Sequence, residues 1–129
     1  MTDKTYQHNA DVYTASVTAT SDGLTTGLIP DGADFVSVTS AAAGNIITLP
    51  SGTVGTVIRG YVGANGCEMR TVAASGATIN GVDSDGTNEA AIPATHYFEA
   101  ICVADDTWIL LDATELGTVG AAGIVPDTA

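Results

Sequence analysis

The densest chemistry in the chain is NGVDSDGTNE, Asn80 to Glu89, where three acids, two amides and two glycines fall within ten residues. Alternating acids ahead of a glycine resemble the opening of a calcium loop, D-x-[DN]-x-[DN]-G-x5-E, in which roughly six to eight oxygens surround the ion. With Gly86 at the invariant glycine, Asp83 and Asp85 take the third and fifth positions. The first ligand position then falls on Gly81 and the last on Ile92. The leading carboxylate and the bidentate glutamate are both missing, so the stretch is expected to be an exposed turn. No metal or other cofactor is expected.

Catalytic groupings are equally incomplete. His8 lies in an unpatterned polar segment, and His96 opens a strand after Pro93. Cys67 or Cys102 with His96 would make a thiolate nucleophile. Cys102, however, stands between Ile101 and Val103 in an apolar strand, where a thiol is inert. Asp105 and Asp106 have the residue types of a glycosidase pair, but adjacent positions at a strand turn point apart. The patterns HExxH, CxxC, GxSxG and GxxxxGK[ST] do not occur, so an enzyme is not expected. Two cysteines are too few for a disulfide framework. They read as free thiols, with a bridge between neighbouring strands left open.

The remaining candidates are contact residues. Tyr6, His8, Tyr13 and Tyr61 are candidate interface positions, with Tyr97 a further aromatic. Arg59 and Arg70 are two of only three bases. Each can pair with a carboxylate across a subunit boundary or on its own surface. Trp108, inside TWILLD, reads as core.

These residues must be held by β-structure. Helical periodicity is absent, whereas short apolar and β-branched runs recur between Gly, Asn, Asp and Pro turns. The runs cover 11–20, 34–40, 45–49, 54–62, 67–74, 77–80, 88–92, 96–104 and 107–112. Turn signals separate them at SDG (21–23), PDG (30–32), AGN (43–45), PSG (50–52), ANG (64–66), SG (75–76), SDG (84–86) and DD (105–106). In 54–62, Ile58, Gly60 and Val62 share one face, while Val57, Arg59 and Tyr61 share the other, which meets solvent or a partner. In 96–104, Glu99 marks the wetter face. TWILLD is apolar on both faces, as in a central strand or a subunit interface. The expected fold is an all-β antiparallel sandwich, jelly-roll-like, as a single domain. Residues 1–10 form an N-terminal arm, 11–112 the sandwich and 113–129 a C-terminal arm, on which Val119, Ile124 and Val125 are candidate contacts.

Charge narrows the partners. Fifteen acids against three bases give a net charge of −12, which disfavours nucleic acid and anionic membranes. No run reaches the roughly 18 apolar residues of a membrane span, and the first residues lack the apolar core of a secretory signal. A soluble protein made in the cytoplasm is expected.

The order within Asn45–Asp112 carries a resemblance. ITLP, a Gly turn, a strand, a second Gly turn, a strand, SGATING, the acidic loop, a long apolar strand and DDTWIL follow one another. This resembles the small β-sandwich modules of tailed-bacteriophage virions, found in head decoration (cement) proteins and in fibre and spike knobs. The resemblance covers about half the chain and implies a non-enzymatic homotrimer. It implies a place on the capsid exterior, with the major capsid protein as partner and extended arms making contacts. The short chain and the lack of a coiled-coil segment fit a decoration protein. The alternative is a trimeric tail fibre or spike knob that binds a host-surface receptor or glycan.

Overall fold

A computed structural model describes residues 12–72, 76–86 and 88–114. Ten strands form two sheets. The long sheet contains β1 (Thr14–Thr18), β2 (Phe35–Thr39), β4 (Val57–Val62), β6 (Thr78–Ile79), β7 (Val82–Asp83), β9 (His96–Ala104) and β10 (Thr107–Thr114). The short sheet contains β3 (Ile46–Thr48), β5 (Cys67–Arg70) and β8 (Ala90–Ile92). Strand order is β1-β2-β4-β9-β10-β6-β7 in the long sheet and β3-β5-β8 in the short one. The only helical element described is a 3-10 turn, Thr25–Gly27.

The expected all-β sandwich is therefore present, but its pairing differs from the antiparallel, jelly-roll-like order. Four ladders run parallel: β1 with β2, β2 with β4, β3 with β5, and β6 with β10. The reason lies in the path of the chain. After β1 it crosses toward the short sheet, where Thr20 bridges Ile46 and Leu28 bridges Thr48, then returns as β2. It crosses again through β3, returns as β4, and crosses once more to β5. Successive strands of one sheet are thus separated by a full crossing, which is the condition for parallel pairing. The Gly turns expected to close hairpins here make corners between the sheets instead, using the same positive φ at Gly23, Gly32 and Gly66.

The coils stack in register. Val17 pairs with Val38 and Val38 with Val62, and all three are buried. On the short-sheet side Ile29 donates to the Thr48 carbonyl, and one coil later Leu49 donates to the Arg70 carbonyl. The sequence carries this repeat: TASVT (14–18) lies against FVSVT (35–39), and LIPDG (28–32) is echoed by TLPSG (48–52).

Antiparallel strands close the stack. β9 pairs with β4, β10 with β9, and β8 with β5. β10 continues to Thr114, two residues past the expected end of the sandwich. A single core joins the sheets: Val36, Ile58, Phe98, Trp108 and Leu110 from the long sheet, and Ile47, Met69 and Ile92 from the short one. Trp108 is fully buried, as its run implied. Burial of a large apolar side chain contributes about 1.5–3 kcal/mol, so these residues dominate the stability of an aromatic-poor chain.

Candidate functional site

The most distinctive surface is the outward face of the long sheet. Because side chains alternate along a strand, burying Ile58, Phe98, Cys102 and Leu110 forces Val57, Tyr97, Ile101, Val103, Ile109 and Leu111 outward. The registers arrange these in cross-strand rows. One row runs Val57–Ile101–Ile109. The next runs Thr14–Phe35–Arg59–Glu99–Leu111, and the third places Ser16, Ser37, Tyr61 and Tyr97 side by side. Val103, Ile109 and Leu111 are 49%, 36% and 41% exposed, although each could have been a polar residue. Large apolar side chains grouped in this way mark an interaction surface more than scattered ones do.

Its charge is as unusual as its hydrophobicity. Among the described outward residues of β1, β2, β4, β9 and β10, the charged groups are Arg59 and Glu99, which neutralise one another. Arg59 Nε donates to Glu99 Oε2 at 2.6 Å across the β4–β9 pair. The Glu99 carboxylate raises the Arg59 pKa above its ordinary value. With the guanidinium 54% exposed, the pair is screened by solvent and adds little to stability. Its stronger effect is to leave this face uncharged on a chain of net charge −12.

Sequence reasoning placed Arg59 and Tyr61 on an outward face, and they are there. Tyr13 lies just before β1, 43% exposed, with its N–H donating to Asp34 Oδ2. Arg70 is elsewhere: it belongs to β5, pairs with Glu89 at 3.4 Å, and lines a groove of about 350 Å³ with Asp22, Leu24, Leu28, Thr71 and Val72. Within that groove Asp22 accepts from the Leu24 N–H and the Thr20 hydroxyl, which hold its carboxyl below the ordinary value. Tyr6, His8, Val119, Ile124 and Val125 lie outside the described residues. Val57 was placed on the same outward face, whereas Phe35, Ile101, Val103, Ile109 and Leu111 were not singled out as contact residues. The apolar outward register of 101, 103, 109 and 111, opposite a core register that is also apolar, is the signal that finds them.

Other polar groups make hydrogen bonds within the described fold. Asn80 and Gly81, with φ of 52° and 86°, turn β6 into β7 as an Asn-Gly hairpin. The Asn80 amide then pairs with β10, donating from Nδ2 to the Leu110 carbonyl and accepting from the Leu110 N–H at Oδ1. Asp83 Oδ1 accepts from the Asp85 N–H, and Asp85 Oδ2 from the Gly76 N–H. These bonds shape the segment, which is not an exposed turn throughout as expected: Val82–Asp83 form β7 and Ser84 is fully buried. Among the described residues no group of three or more His, Cys, Asp or Glu is placed to hold a metal ion. His96 Nδ1 lies 2.7 Å from Asp112 Oδ2. Cys102 is six positions along the same strand from His96, about 20 Å away, and its thiol donates to the Ala104 carbonyl. Cys67 and Cys102 are both free and buried, and burial pushes the Cys67 thiol up to about 12.

Compared with protein-family models, with curated proteins and with solved structures, the chain matches none.

Proposed function

We propose that the chain is a structural virion protein that decorates and stabilises a bacteriophage capsid by bridging major capsid proteins, as a homotrimer on the capsid exterior. The observation that carries the reading is the outward face of the long sheet across β1, β2, β4, β9 and β10: neutral, with apolar rows on β4, β9 and β10, and set on a chain whose other charges are overwhelmingly acidic. Such a face is suited to assembly with protein, because its apolar side chains gain by leaving water. The virion context comes from the resemblance over Asn45–Asp112, which spans β3 to β10.

The mechanism is additive contact. Terminal arms, residues 1–10 and the segment after β10, pair with capsid edges by strand addition. Three linked copies multiply weak individual contacts through effective concentration. A protein bound across capsomer boundaries opposes their separation under the pressure of packaged DNA. Imaging of particles with and without this protein tests the reading. Density at capsomer junctions that vanishes in its absence is expected. Density confined to the tail would replace this reading with the fibre or spike knob.

A further inference from the structure

We infer that the outward face of the long sheet across β1, β2, β4, β9 and β10 is where copies of this chain meet one another. The inference holds whether or not the chain coats a capsid. Charge is the first argument. Two chains of net charge −12 repel at almost any orientation. They repel least where uncharged faces are apposed, and this face carries Arg59 and Glu99 already paired. A basic partner would be matched by an acidic surface, not by the one face from which unpaired acids are missing among the described residues.

The second argument is self-complementarity. Arg59 is bonded to Glu99 through Nε and is half exposed, so it retains N–H donors for the Glu99 of a facing copy. About a two-fold axis either copy can offer the same group to the other, so this pairing is a contact additional to the three-fold one proposed above. The apolar rows on both sides of this pair then pack against their own images.

Area is the third. Five strands at about 4.8 Å spacing, with four outward positions along β9 about 6.7 Å apart, give a footprint of about 650 Å² per copy. Specific interfaces begin at about 600 Å² per partner. The face is therefore just large enough for a specific contact.

The test uses the full chain with single cysteines added, because Cys67 and Cys102 are buried and give a low labelling background. Ile109→Cys places a thiol on the face, in the row Val57–Ile101–Ile109, and Leu24→Cys places one at an exposed site on the short-sheet side. A short bis-maleimide should join Ile109→Cys chains at least about tenfold faster than Leu24→Cys chains, reflecting the effective concentration within a complex. Sedimentation of the unmodified chain should show a mass above one protomer at micromolar concentrations. Leu111→Glu should shift it to the protomer while leaving the melting temperature of the fold intact. A chain that stays monomeric up to hundreds of micromolar overturns the inference. So does equal cross-linking at the two positions, including the case in which the segment after β10 covers the face.

Discussion

At the residue scale, Asn80 does more than its place in an acidic loop implied. Its amide takes the role of a backbone peptide toward Leu110, extending the short β6–β10 ladder by one rung, while its own backbone adopts a positive φ. Asn80→Ala removes both hydrogen bonds, leaves the Leu110 N–H without its acceptor, and puts a Cβ-bearing residue without local support in the left-handed region. A loss of about 2–4 kcal/mol in urea-unfolding stability is expected. The sequence announced the turn through Asn-Gly, but the contact with Leu110 needs a strand thirty positions later to be placed alongside. Cys67 gives a pH prediction. Burial raises its thiol from 9.0 to about 12, so between these values the unfolded chain is deprotonated while the folded one keeps its proton. Stability from this group is complete below pH 9 and falls as pH rises. The stability gap between the natural chain and Cys67→Ala should narrow by about 1.4 kcal/mol per pH unit above 9. A gap that stays constant from pH 8 to 11 would remove this role from Cys67.

At the element scale, strand positions were legible and strand partners were not. The run 96–104 matches β9 end to end, and alternation assigned the faces of β4 and β9 correctly. Alternation is a property of one strand, whereas parallel pairing depends on where the chain goes between strands. Turn chemistry did not reveal that path, because a positive-φ glycine serves a hairpin and an inter-sheet corner equally well. The information was present in the repeats TASVT/FVSVT and LIPDG/TLPSG, whose spacing of about one coil is the mark of stacked turns. The Pro50–Gly52 corner shows how closely a coil fits the closing hairpin. The Gly52 N–H donates to Asp106 Oδ1, and the Asp106 N–H donates to the Gly52 carbonyl. A Cβ on Gly52 would lie 2.6 Å from Trp108 and 2.7 Å from the Cys102 sulfur, whereas one on Gly44 would meet nothing within 4 Å. Gly52→Ala should cost about 1–3 kcal/mol and alter Trp108 fluorescence. Gly44→Ala should stay within about 0.5 kcal/mol of the natural chain. Equal effects of the two substitutions would contradict this packing.

At the scale of the whole molecule, charge and hydrophobicity are segregated. Among the described residues, the outward face of β1, β2, β4, β9 and β10 carries no acid but the paired Glu99, and the exposed Val103, Ile109 and Leu111 are gathered on it. Composition revealed the acidity, and TWILLD revealed a strand apolar on both sides. That the second side would join those of β4 and β9 required the registers. This segregation has a consequence for salt. If copies associate through uncharged faces, screening the remaining acids should strengthen association between low salt and about 0.5 M NaCl. An interface built on ion pairs would weaken over the same range. Sedimentation at fixed protein concentration distinguishes the two.

If the module coats a capsid as proposed, its copy number in purified virions relative to the major capsid protein is the most direct measurement. A capsid-coating protein should be present at a number close to that of the capsid protein. A handful of copies per particle would contradict the account and place the chain on the tail.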